Sequence, residues 1–218
     1  MKQLITTSDG SHTVYVPELD EHYHSVHGAV QESNFIFIKN GFDKSFADPL
    51  NIFEVGFGTG LNTLLTAIRS KEGKREINYT SIEKYPLEDS FIRSLNHYLF
   101  AGNRGKEISD LIHSAPWDQF VPVFKNFNLL KIHGDIKVYP LSGKFDLIYF
   151  DAFGPDKQPE MWTPDVFESI ASLTGKGGTL VTYSAKGDVQ RNLRACGFGV
   201  TLLPGPPGKR QIIRAVKI

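Results

Sequence analysis

The sequence predicts an α/β fold: a mostly parallel, doubly wound sheet that ends in an antiparallel hairpin and carries a small N-terminal β appendage. Three observations predict it. Short apolar runs alternate with segments of helical periodicity along residues 46–218, the pattern of repeated strand–crossover–strand units. A glycine turn, Gly56-Phe-Gly58-Thr-Gly60, stands between the first of these runs and the first helical segment. The last two runs are separated only by Pro204-Gly205-Pro206-Pro207-Gly208, too short for a crossover helix, so those strands pair antiparallel.

Residues 1–45 read as the appendage and residues 46–218 as the main domain. In the appendage, 13–16 and 35–38 are short strand candidates around a polar, histidine-rich stretch at 20–27, and the whole is expected over the sheet edge. The main strands are expected at 51–55, 79–83, 129–133, 145–150, 179–183, 200–203 and 210–216. After the first of them, Leu61, Leu64, Leu65 and Ile68 recur at helical spacing. The run 86–100 opens with proline and acidic residues and is expected to be a second crossover helix.

Bulk properties bound the function. A chain of 218 residues buries one substantial core. No apolar run approaches the ~20 residues of a membrane span, and none near Met1 has signal-peptide length, so a cytoplasmic protein is expected. Cys196 is the only cysteine, which excludes an intrachain disulfide and a cysteine metal cluster. His22, His24 and His27 lie near Asp20 and Glu21, but their spacing matches no common ligand motif and no metal is expected. The formal net charge is zero, yet 171–218 holds eight lysines and arginines against Asp188 alone, a net +7 that leaves −7 on the remainder. Such asymmetry suits a basic face for a polyanion.

The strongest local signal is Glu54-Val-Gly56-Phe-Gly58-Thr-Gly60-Leu-Asn62, placed between an apolar strand and an amphipathic helix. Glycines let the backbone approach a ligand closely, and the helix start offers free amide groups to a negatively charged group. A dinucleotide fingerprint wants glycine at the sixth position from Gly56, where Leu61 stands, and the phosphate-loop pattern fails as well. What remains, Gly-x-Gly-x-Gly behind an acid, resembles the cofactor loop of class I S-adenosylmethionine methyltransferases. Glu54, Gly56, Gly58, Gly60 and Asn62 are therefore candidate cofactor residues.

Three acids end strands on the side where ligands bind in such sheets. Glu83 is suited to accept hydrogen bonds from both ribose hydroxyls, and Asp135, in His133-Gly-Asp, from an adenine amino group. Asp151, in Phe150-Asp-Ala-Phe153-Gly-Pro155, is the candidate catalytic residue: a carboxylate beside an incoming amine takes its proton and aims its lone pair. It also counts among the cofactor contacts, and Phe153 is placed to stack on a base.

Further segments occur together with this loop: Tyr23-His-Ser25-Val-His-Gly28-Ala-Val-Gln-Glu32-Ser, Ser81-Ile-Glu-Lys-Tyr-Pro-Leu87, Asp151-Ala-Phe-Gly-Pro-Asp-Lys-Gln-Pro-Glu-Met-Trp162-Thr and the closing Gly-Lys209-Arg210. Jointly they resemble the methyltransferase half of MnmC-type enzymes, the tRNA 5-methylaminomethyl-2-thiouridine methyltransferases, over roughly residues 15–215. The resemblance implies a Rossmann-like class I methyltransferase sheet and S-adenosylmethionine as cofactor. It implies methylation of the 5-aminomethyl nitrogen of the wobble uridine, with the tRNA anticodon stem-loop as partner. Tyr23, Glu32 and Phe153 would then line the base pocket, with Lys209 and Arg210 as further substrate-binding residues. Two-domain relatives carry a flavin oxidoreductase half that prepares the amine; here a separate enzyme is expected to supply the aminomethyl-uridine. The motif at Asp151 reads Asp-Ala-Phe-Gly-Pro where some relatives are expected to have Asp-Gly-Phe-Ala-Pro, a swap that leaves the aspartate in place.

Two other readings stay open. Zero net charge keeps a methyltransferase of a small-molecule amine, and a non-catalytic tRNA- or nucleotide-binding module is opposed mainly by Asp151.

Overall fold

The computed structural model describes every residue except Glu72. The chain opens with a three-stranded antiparallel sheet, β1 (Gln3–Thr6), β2 (His12–Val16) and β3 (Glu21–His22). Helix α1 (Ala29–Ser33) follows and runs on as a π-helical stretch, Asn34–Lys39. Asp9, in the β1–β2 turn, accepts the backbone N–H of Gln31 at 2.9 Å and so ties that turn to the first turn of α1.

Among the described residues the main sheet has eight strands: β4 (Leu50–Val55), β5 (Ile77–Glu83), β6 (Phe120–Phe124), β7 (Phe127–His133), β8 (Phe145–Phe150), β9 (Thr174–Thr182), β10 (Phe198–Pro204) and β11 (Gln211–Lys217). Their order is β10-β11-β9-β8-β4-β5-β7-β6. The five central strands, β9-β8-β4-β5-β7, are parallel to one another, while β6 and the β10–β11 hairpin pair antiparallel at the two edges. From β4 the chain builds outward through β5 to β7, then returns to place β8 on the other side of β4. The switch point between β4 and β8 therefore opens a crevice at their carboxyl ends.

Strand alternation builds a core on each face. In β4, Leu50 and Ile52 face one layer and Phe53 and Val55 the other; in β8, Leu147 and Tyr149 oppose Ile148 and Phe150 in the same way. Helices α2 (Leu61–Ser70) and α4 (Gly105–Ser114) cover the first face through Leu64, Ala67, Ile108 and Ile112. Helices α5 (Pro164–Leu173) and α6 (Gly187–Ala195) cover the second through Val166, Phe167, Ile170, Val189 and Leu193. Burial on both faces is why these strands read as near-continuous apolar runs.

Three sequence expectations need correction. Residues 35–38 are not a strand: they lie in the π-helical continuation of α1, with Ile36, Phe37 and Ile38 all buried. A short apolar run does not distinguish a strand from a buried helical turn. The run 86–100 makes only the short helix α3 (Asp89–Ser94), which buries none of its residues, and a 3-10 turn, His97–Phe100. The packed crossover helix is α4, whose Ile108 and Ile112 are one turn apart on the buried face. The small sheet does not cover a sheet edge. It reaches the carboxyl ends of the parallel strands, where His24 Nε2 and Thr59 Oγ1 share a hydrogen bond of 2.6 Å. The sequence reading also passed over β1 and β6.

Phe37 is 2% exposed and packs on Tyr149 with ring centroids 5.1 Å apart. Phe37→Ala is expected to lower unfolding free energy by about 4 kcal/mol, measured by urea denaturation, because the cavity lies in the main core.

Candidate active site

The crevice at the switch point opens into a cavity of about 670 Å3. Its floor is set by backbone pairing: Asp151 N–H donates to Val55 O at 3.0 Å and Gly56 N–H to Ile82 O at 3.0 Å, which aligns the ends of β4, β5 and β8. Gly56 has φ +92°, and a Cβ there would fall 2.9 Å from the Asp151 carbonyl oxygen. Gly58 has φ +51°, and a Cβ there would fall 2.9 Å from the Tyr23 ring. Any larger residue would strain the turn and fill the space above it.

Asp151 is half-buried just beyond β8 and accepts a hydrogen bond from Asn62 Nδ2 at 2.8 Å. Burial holds its carboxyl well above the usual carboxylate range; the Asn62 bond offsets this in part, while the Glu32 and Glu54 carboxyls add to it. Glu83 ends β5, where Oε2 accepts the Gly58 N–H at 3.1 Å and Oε1 the Tyr85 N–H at 2.8 Å. Asp135 follows β7. Burial alone would raise its carboxyl, but the Lys137 N–H at 3.0 Å and the Lys84 ammonium at 3.0 Å hold it below its ordinary value.

The cavity's other wall comes from the N-terminal segment and the last hairpin. Tyr23 meets Phe153 edge-on with centroids 4.9 Å apart, and burial pushes its hydroxyl far up. Lys209, from the β10–β11 turn, pairs with Glu32 of α1 at 3.1 Å.

Of the candidates from sequence, Tyr23, Glu32, Gly56, Gly58, Asn62, Glu83, Asp135, Asp151, Phe153 and Lys209 line this one cavity. Glu54, Gly60 and Arg210 do not. Glu54 is fully buried beneath the glycine turn, where Oε2 accepts from Ser81 Oγ at 2.7 Å and Thr63 Oγ1 at 3.2 Å, tying β4, β5 and α2 together. Gly60 caps α2 and faces His113 behind the turn. Arg210 is exposed on the hairpin. Sequence reasoning missed Tyr183 and Lys84, each one residue past a strand that ends at the cavity. Both stand at the carboxyl end of a parallel strand, the signal that found Glu83 and Asp151. His24 is buried against Thr59, and burial brings its imidazole down to about 3.

The cavity fits the expected cofactor on three grounds. Its volume is that of a small-molecule site. The glycine turn leaves a cradle that a Cβ would fill, against the start of α2. Asn62 Oδ1 is buried without a hydrogen-bond partner among the described residues, an acceptor left for a donor on a bound group.

Comparison with known proteins agrees with this geometry. Residues 119–218 match the protein-family model described as S-adenosyl-L-methionine-dependent methyltransferase. The chain is 33% identical over 223 residues to the tRNA 5-methylaminomethyl-2-thiouridine biosynthesis bifunctional protein MnmC of Cupriavidus metallidurans, covering 95% of this chain and 33% of that protein. It is 31% identical to MnmC of Paraburkholderia phymatum, covering 92% of this chain and again 33% of the relative. It thus spans about a third of the length of these curated relatives. The crystal structure of MNMC2 from Aquifex aeolicus superposes with a TM-score of 0.77 at 26% identity, covering 99% of this chain and 70% of that one. The fold is accordingly the Rossmann-like methyltransferase fold. Among the described residues no helix is long and apolar enough to cross a membrane.

Burial raises the Glu54 carboxyl to about 7. A raised folded-state value means that the native state holds a proton the unfolded chain releases, so this group's stabilisation is present below pH 4.5 and is lost as pH rises to 7. The stability of Glu54→Gln relative to the unmutated protein is therefore expected to climb across that window by about 3 kcal/mol and then level off. Urea titrations of both proteins from pH 4.5 to 8.5 check this; a flat difference would place the proton elsewhere.

Proposed function

We propose that the chain methylates tRNA, moving the methyl group of S-adenosylmethionine to the 5-aminomethyl nitrogen of the wobble uridine and giving 5-methylaminomethyl-(2-thio)uridine; its similarity to the MnmC proteins and the match of residues 119–218 to the S-adenosyl-L-methionine-dependent methyltransferase model support this reading. The observation that carries this reading is the position of Asp151, between the glycine cradle and the Glu32–Lys209 wall of the same cavity.

In this reading Gly56, Gly58, Asn62, Glu83 and Asp135 hold the cofactor, and Glu54 and Gly60 shape the turn from beneath. When bound, S-adenosylmethionine supplies a methyl group on a positively charged sulfur, which a neutral amine takes up directly. Asp151 provides the neutral amine. An aminomethyl group enters as its ammonium ion, and a carboxylate of raised proton affinity accepts one of its protons more readily than an exposed one. Asn62 fixes the Asp151 carboxylate by its 2.8 Å bond, which directs the freed lone pair. Tyr23 and Phe153 supply aromatic surface for a splayed-out base, and Tyr23 over Gly58 shuts water from the turn. No covalent link to the protein is required.

Arg210, exposed beside the cavity's hairpin, supplies charge toward tRNA phosphates. The reaction consumes an aminomethyl-uridine, so an amine-forming reaction precedes it. A tRNA substrate favours a cytoplasmic location for the reaction.

The test is incubation with methyl-labelled S-adenosylmethionine and bulk tRNA from cells lacking this protein, followed by nucleoside mass spectrometry. Label on 5-aminomethyl-uridine is expected. Absence of any labelled nucleoside, with cofactor binding retained, defeats the tRNA reading. Asp151→Ala is expected to lower transfer at least ~100-fold while calorimetric binding of S-adenosylhomocysteine stays within a few-fold. Undiminished turnover in that variant removes Asp151 from the proton-accepting role.

A further inference from the structure

Lys209 occupies an unusual position for a lysine next to a catalytic cavity. Its stem leaves the β10–β11 turn, which Gly208 presses against His27, and its ammonium ends inside the cavity rather than in water. There Nζ lies 3.1 Å from Glu32 Oε2 and 4.7 Å from the centroid of the Tyr183 ring. The side chains of Glu32 and Lys209 are only 12% and 25% exposed.

The surroundings are those of an ammonium receptor. The Tyr183 hydroxyl donates to Ala152 O at 2.8 Å, which fixes the ring as a wall with its face toward the cation. Glu21, Glu32 and Asp151 all act electrostatically on that hydroxyl and, with burial, hold its proton on. The Glu32 carboxylate and the Tyr183 face thus hold the Lys209 ammonium, and Asp151 lies within electrostatic reach of it. That cation is a primary alkylammonium, the same chemical group that an aminomethyl substrate carries.

We propose that the Lys209 ammonium stands in the amine subsite, and that a substrate alkylammonium enters by displacing it from Glu32 and the Tyr183 face. The two partners differ in how they can move. Glu32 is fixed on helix α1, and removing the Lys209 ammonium would take the paired cation from a carboxylate that is only 12% exposed. Lys209 hangs on a flexible four-carbon stem from a turn and swings to solvent at small cost. The subsite is then always filled by one ammonium or the other. The inference rests on the proposed amine methylation only for what the incoming group belongs to; the displacement itself is a binding property.

The probe is methylammonium chloride, read against sodium chloride of equal ionic strength. Lys209→Met keeps the stem and removes the charge, so methylammonium is expected to raise its Tm saturably, by about 3 °C at ten times the dissociation constant. The unmutated protein is expected to respond at higher methylammonium concentration, because its own Lys209 ammonium competes for the subsite, and the Glu32→Gln/Lys209→Met double variant is expected to show the salt response alone. Equal responses in all three overturn the proposal. Lysine-selective NMR reads the same exchange without mutation: methylammonium is expected to move the Lys209 ε-carbon resonance toward that of an exposed lysine. A resonance that stays unmoved through the titration overturns the proposal even if the variants do not fold. Rescue by methylammonium without a labelled tRNA nucleoside keeps the subsite and gives it another alkylamine. Labelled tRNA without rescue keeps the reaction and removes Lys209 from the amine position.

Discussion

The site depends on how closely two strand ends approach each other. Where β4 and β8 lie side by side in parallel, the Val55 carbonyl accepts the Asp151 N–H, and Gly56 lies against the Asp151 carbonyl with no room for a side chain. That approach fixes a carboxylate at the edge of the glycine turn. Asn62, in the first turn of α2, then fixes the carboxylate's orientation. Glu54 serves the same end from below: its bonds to Ser81 and Thr63 join the two central strands to the helix that follows the turn. In the proposed reaction the reacting groups are thus carried by the middle of the sheet, and the loops above it supply recognition.

The cavity wall opposite the glycine turn comes from chain segments far apart in sequence. The N-terminal segment contributes Tyr23 and Glu32, the β9 end contributes Tyr183, and the last hairpin contributes Lys209. These residues share an electrostatic character that the formal charges do not reveal. The C-terminal stretch is basic overall, yet its Lys209 is spent inside a cavity whose carboxyls outnumber it, and Arg210 is the basic residue of the pair left facing water. A cationic substrate group and a polyanionic carrier would thus meet opposite fields a few residues apart.

Much of this was legible in the sequence because it rests on period and position. Strands buried on both faces announce themselves as apolar runs, and acids that end such runs fall at one edge of a parallel sheet; Glu83, Asp135 and Asp151 were found that way. What was not legible depended on long-range packing. Residues 35–38 have the composition of a strand, and only their continuity with α1 makes them helical. Glu54 reads as a cofactor residue from its place in the motif, but side-chain alternation turns it inward from the turn. The Lys209–Glu32 pair spans most of the chain, and no local pattern could have joined the two.

The alternation in β8 sets a limit on how this protein can vary. Leu147 and Tyr149 fill one core while Ile148 and Phe150 fill the other, and Asp151 takes its direction from the residue before it. Losing or gaining a single residue inside β8 would exchange the occupants of both cores and swing the carboxylate out of the crevice. Substitutions along this strand cost in proportion to the atoms they change, but an insertion or deletion there costs everything at once. Length variation in descendants of this sequence should therefore collect in turns such as the exposed stretch at 138–140, and the strand itself should drift in composition while keeping its length.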